Sequence, residues 1–112
     1  MARRSVFLYG IIMGHGNKEE KVVYCYARNA GLAIENYKQL FKEEKYDHFR
    51  AKMFGEADVR VHDKPFEPMT KEEVEYISQN GLAKADAYAQ RKSTLPQGEF
   101  IPVDQMPEGE PV

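Results

Sequence analysis

The sequence predicts an α+β domain: a small three-stranded antiparallel sheet in the order 2-1-3, with elements running ββαβα and two main helices packed on it. Three observations lead there. Residues 5–13, Ser-Val-Phe-Leu-Tyr-Gly-Ile-Ile-Met, form the longest apolar run and are apolar on both alternating faces, as expected of a strand flanked by others and covered on both sides. A second strand-like run, residues 22–27, follows across a short glycine-bearing connection, which suits an antiparallel hairpin. One stretch of helical periodicity then leads to a third alternating run. A strand-helix-strand crossover is right-handed and returns parallel to the strand it left. The third strand therefore takes the free side of the first, and residues 5–13 become central.

Each element has its own signal. Gly14-His-Gly-Asn17 is turn chemistry, and Lys18-Glu-Glu-Lys21 reads as a charged loop. Asn29 is a suitable N-cap. After it Ala30, Ala33, Ile34, Tyr37, Leu40 and Phe41 recur on one stripe, giving a helix over residues 30–44. Phe49, Ala51 and Met53 alternate with Arg50 and Lys52, and Ala57, Val59 and Val61 with Asp58 and Arg60. Gly55 between the halves marks a bulge, a bend or a hairpin tip. Thr70 and Glu73 form a capping box, Met69 is placed to staple onto Val74, and Asn80-Gly81 ends that helix. Leu82–Lys92 has the spacing of a short third helix.

Length and charge bound the function. At 112 residues the chain holds one core. Residues 1–92 are the domain, and residues 93–112 are an acidic, proline-containing C-terminal tail with a mobile character. The tail carries Glu99, Asp104, Glu108 and Glu110 and no Lys or Arg. In it, Phe100-Ile-Pro-Val103 is the segment with anchors for docking. Residues 1–92 hold all 16 basic and the remaining 14 of 18 acidic side chains, too even a balance to announce a nucleic-acid binder. Cys25 is the single cysteine, which excludes an internal disulfide and reads as a buried thiol. Met1-Ala-Arg-Arg4 before an apolar stretch has the outline of a signal peptide. The stretch is short, however, and runs into Lys18–Lys21 instead of a cleavage site. The expectation is a cytoplasmic protein with no membrane span.

No catalytic motif stands out. His15, His48 and His62, with Asp47, Glu56, Asp58 and Asp63, offer metal-ligand chemistry at no diagnostic spacing. Gly14-His-Gly16 lacks the lysine and the helix of a phosphate loop, and no nucleophile elbow occurs. No cofactor and no metal are called for. The sharpest feature is a sheet face. Small residues suit a face under helices, which groups Val23, Cys25 and Ala27 with Leu8, Gly10 and Ile12. The other face then carries Phe7, Tyr9, Ile11, Tyr24 and Tyr26, edged by Arg50 and Lys52. Aromatic residues with arginine nearby are typical of interface cores. The expectation is a non-enzymatic interaction protein that forms a homodimer or holds a protein partner through that face. A single-stranded nucleic-acid binder stacking bases on the same aromatics is a second reading, and a small enzyme with a polar pocket a third. The blandest reading has the second helix or the tail simply covering the face.

Overall fold

The computed structural model describes residues 5–43, 45–57, 66, 68–81 and 100–105. Strands β1 (Val6–His15) and β2 (Lys18–Ala27) form the hairpin. Helix α1 (Ala30–Leu40), strand β3 (His48–Ala57), helix α2 (Lys71–Asn80), the short strand β4 (Ile101–Pro102) and a 3-10 turn (Val103–Gln105) follow. The sheet is antiparallel throughout, in the order β3-β1-β2-β4. The order 2-1-3 is thus present, but the sheet has four strands, not three. The extra strand comes from Phe100-Ile-Pro-Val103, whose apolar residues give it something to bury. The proposed third helix and the Val59–Val61 run lie outside the described residues.

The hairpin is tighter than the composition suggests. Residues 18–21 belong to β2, and only Gly16-Asn17 turns the chain. Gly16 takes φ +60°, which glycine adopts at little cost. At Gly14 the register slips, so that Met13 opposes Lys21 while Gly14 opposes Glu19. A Cβ at Gly14 would fall 1.9 Å from the Lys18 carbonyl oxygen, so the bulge exists only because that position is glycine.

Both helices are capped as their sequences imply. The Asn29 side chain accepts from Leu32 N at 2.8 Å. Thr70 Oγ1 accepts from Glu73 N at 3.2 Å, and Thr70 N donates to Glu73 Oε1 at 3.3 Å. Helix α1 ends at Leu40, four residues short of the expected length, because Phe41 leaves helical angles (φ −116°, ψ 57°). Leu40 is 48% exposed instead of joining the buried stripe. Helix α2 stops at Gly81, where φ is +87° and the N–H donates to Ile77 O at 2.9 Å.

The helices lie on opposite faces, and this corrects the face assignment. Tyr9 opposes Cys25, while Gly10 opposes Tyr24. Alternation then puts Phe7, Tyr9, Ile11, Val23 and Cys25 on one side of the sheet and Leu8, Gly10, Ile12, Tyr24 and Tyr26 on the other. Helix α1 covers the first face, with Ala33 and Tyr37 packed on Tyr9, Ile11, Met13, Val23, Cys25 and Ala27. Met69, Val74 and Ile77 cover the second, over Leu8, Ile12, Val22, Tyr24, Tyr26 and Phe54. Side-chain size could not assign the faces, because cross-strand register decides them.

The two layers are joined along the outer edge of β2. Beyond β4, which pairs Lys21 with Pro102 and Val22 with Ile101, the Phe66 amide donates to Tyr26 O and the Met69 amide to Tyr24 O. Phe66 packs in the α1 layer and Met69 in the α2 layer, so these two residues reach the two faces from the same edge. Phe66 holds φ +72°, which costs a non-glycine residue about 1–2 kcal/mol. Its buried ring and its amide bond offset that cost.

Candidate functional site: an aromatic corner

The residues expected to form one contact face do not meet. Phe7, Tyr9 and Ile11 lie under α1, and Tyr24 and Tyr26 under α2. Tyr24 is 2% and Tyr26 4% exposed. Arg50 and Lys52 share the α2 side with the tyrosines but sit at its rim. The reading in which the chain covers its own face holds for both tyrosines.

Tyr24 shows what that burial does. Gly10 leaves a gap in the sheet, and the Phe54 and Tyr24 rings close over it. A Cβ there would come within 2.8 Å of the Phe54 ring and 3.3 Å of the Tyr24 ring. The ring centroids stand 5.5 Å apart, and the Lys52 ammonium lies 5.3 Å from the Phe54 centroid. The Tyr24 hydroxyl is buried with no hydrogen-bond partner among the described residues, and burial pushes its pKa well above the ordinary 10. An unsatisfied buried hydroxyl costs about 1–3 kcal/mol. Tyr24→Phe should therefore equal or exceed wild-type stability in urea at pH 7. The sign at high pH follows from the raised folded value. Neutral Tyr24 contributes its stability fully below pH 10, and this is lost as pH rises above 10, where only the unfolded chain ionises freely. Tyr24→Phe should lose stability less steeply there. A variant clearly less stable than wild type at pH 7 would show that the hydroxyl has a partner.

The side chains that do converge with partial exposure lie at the other end of the sheet. There the hairpin tip, the end of α1, the start of β3 and Phe100 come together. Tyr37 is the floor, fully buried, with ring centroids 5.1 Å from Phe41, 5.6 Å from Phe49 and 6.0 Å from Phe100. Phe41 and Phe100 meet edge-on at 5.3 Å, and Tyr46 meets Phe49 at 6.3 Å. Phe41, Tyr46, Phe49 and Phe100 are all half-buried. Two lysines stand over this layer, Lys21 at 5.5 Å from the Phe100 centroid and Lys38 at 5.0 Å from that of Phe49. Such cation–ring contacts at exposed sites are worth about 0.5–1 kcal/mol.

Polar groups pin the corner. Asp47 N donates to Gly14 O at 3.0 Å, and Gly16 N donates to Asp47 Oδ2 at 3.1 Å. His15 Nδ1 lies 3.6 Å from Asp47 Oδ2 and its Nε2 lies 3.9 Å from Glu20 Oε2. Its ring faces Tyr46 at 5.0 Å. On the α2 side, Arg50 donates from Nε and Nη2 to the two Glu19 oxygens at 2.5 and 3.0 Å. That pair holds the Glu19 carboxyl below its usual range and the Arg50 guanidinium above its own. These contacts tie the hairpin tip to the start of β3. His15 is half-exposed between two carboxylates, and its geometry is that of a surface tie.

Other chemistry is sparse. Among the described residues, no group of three His, Cys, Asp or Glu side chains is placed to hold a metal ion. His62, Asp58 and Asp63 lie outside those residues. Cys25 is fully buried, and burial pushes its thiol far above the ordinary 9. Among the described residues, an open depression is lined by Asn36, Gln39, Leu40, Lys42 and Phe66, of which Lys42 is titratable. No helix among the described residues is long and apolar enough to cross a membrane. No family model, curated protein or solved structure matches the chain.

Sequence reasoning missed Phe41, Tyr46, Phe100, Lys21 and Lys38 as site residues. The i, i+4 spacing of Tyr37 and Phe41 was a usable signal. Nothing local links Phe100 to them.

Proposed function

We propose that this chain is a small, cytoplasmic, non-enzymatic interaction protein that self-associates through the aromatic corner. The supporting observation is the half-buried layer of Phe41, Tyr46, Phe49 and Phe100 under Lys21 and Lys38. Clustered aromatics are the composition of interface cores, which a polar rim surrounds, and a second copy would bury what the monomer leaves half-covered. The test is light scattering over a wide range of concentration, on wild type and on Phe49→Ser and Lys38→Glu. The expected result is a wild-type dimer that both variants weaken while helix content is retained. A strict monomer, or a dimer indifferent to both changes, would overturn the reading.

One observation favours a second reading. Ammonium groups held over partly exposed rings are also what single-stranded nucleic acid stacks against. A labelled mixed-sequence oligonucleotide would then bind with an affinity that falls with salt. Absence of binding at low salt removes this reading.

A further inference from the structure

We propose that the outer edge of β3, over His48–Met53, receives an extended acidic segment of another protein, which joins the sheet as a further strand beside β3. The inference does not depend on self-association through the corner.

The two edges of the sheet are treated differently. The outer edge of β2 is occupied by β4 and by the amides of Phe66 and Met69. The outer edge of β3 has no backbone partner among the described residues. In an antiparallel strand alternate residues direct both N–H and C=O away from the neighbour, so this run directs a row of donors and acceptors outward that no described residue takes up. Residues 48–53 pair with β1 without interruption, and the ladder slips only beyond Met53, where Phe54 is extra. The run contains no proline and is long enough to template a strand.

Side-chain charge selects the partner. Alternation places His48, Arg50 and Lys52 on the α2 side and Phe49, Ala51 and Met53 on the α1 side, the last three half-buried. A second copy pairing antiparallel about a twofold axis through the sheet keeps each face on its own side. Residues of like parity must then meet. Within 48–53 the central registers oppose Arg50 to Lys52, Arg50 to Arg50, or Lys52 to Lys52. Like charges directly opposite are destabilising, and a longer overlap would run into the bulge. The edge is thus set against its own copy and suited to a strand with Asp or Glu at alternate positions and apolar residues between. Arg50 uses Nε and Nη2 on Glu19, and the guanidinium fork retains further N–H groups for a second carboxylate. Recognition would follow the strand-addition mode, with backbone bonds for affinity and alternate side chains for choice of partner.

The probe is a fluorescent peptide, Glu-Val-Glu-Val-Glu-Val-Glu, titrated with the full chain at low salt and followed by anisotropy. Saturable binding is expected, weakened roughly tenfold by Lys52→Glu, as loss of a charge pair at a contact implies. N-methylation of either the valines or the glutamates, whichever amides face β3, should abolish binding, while the other set is tolerated. Hydrogen exchange should slow, when the peptide is bound, at the alternate amides of residues 48–53 that point away from β1. No saturable binding would overturn the proposal. So would equal binding of both N-methylated peptides, which would mean charge attraction without strand pairing. Protection of the outward-pointing amides of 48–53 in a peptide-free dimer would show that a second copy holds the edge. Light scattering reads self-association separately, so failure of one proposal leaves the other standing.

Discussion

Tyr37→Ala is expected to lower stability by about 3–5 kcal/mol, the range for removing a fully buried aromatic ring, read as a fall in the urea midpoint at unchanged slope. Total stability for a small domain is about 5–15 kcal/mol, so this single change approaches the threshold of unfolding. The size follows from position. Tyr37 has no exposed surface and its ring touches Phe41, Phe49 and Phe100 together. Those partners come from the end of α1, from β3 and from the segment leading into β4. Deleting the ring leaves a cavity whose walls belong to three separate elements and cannot collapse together. Leu40→Ala, on the same helix, is the control. Leu40 is half-exposed, so its change should stay within about 0.5 kcal/mol of wild type. A Tyr37→Ala variant within about 1 kcal/mol of wild type would show that the cluster is not a structural floor.

Gly14→Ala is the second large effect, about 2–4 kcal/mol, because an added methyl meets fixed backbone. The obstructing atom is the Lys18 carbonyl oxygen, with Glu19 Cα a further 2.8 Å contact. Neither swings aside as a side-chain tip would, so the hairpin end must open. Opening it also displaces Gly14 O, the acceptor of the Asp47 amide, and Gly16 N, the donor to Asp47. The corner should loosen with the hairpin, and exchange at the Asp47 amide should quicken. Gly16 separates steric conflict from conformational freedom. Nothing lies within 4 Å of a Cβ there, although φ is +60°. Gly16→Asn should therefore cost well under what Gly14→Ala costs, since asparagine tolerates left-handed backbone. Equal costs at the two positions would contradict this account of the bulge.

Much of the architecture was legible because its causes are local. Asn29, and Thr70 with Glu73, announce the two helix starts, since a cap and its amide lie within three residues of each other. The two apolar faces of residues 5–13 announce a central strand covered on both sides. The hairpin and the crossover rule then leave one antiparallel order for β1, β2 and β3. The corner was only partly legible. Tyr37 and Phe41 share a helical spacing, and Phe49 lies on an alternating strand, but their meeting with Phe100 is long-range.

The faces show where sequence reasoning stops. Whether Tyr24 lies beside Tyr9 or beside Gly10 depends on a shift of one residue in the hairpin. That shift is set by the two-residue turn and by the bulge at Gly14. A one-residue slip moves every side chain of a strand to the other side, so no amount of composition recovers the answer. The chain by itself determined the two helices with their caps, the pairing of β1 with β2 and β3, and the centrality of β1, because those depend on periodicity and on neighbours a few residues away. Tertiary structure alone decided which helix covers which face, that Phe100–Pro102 completes the sheet beyond β2, and that β3 lies at the other end of the described sheet. Those outcomes depend on register and on contacts between residues far apart in the chain, for which the local sequence carries no energy term.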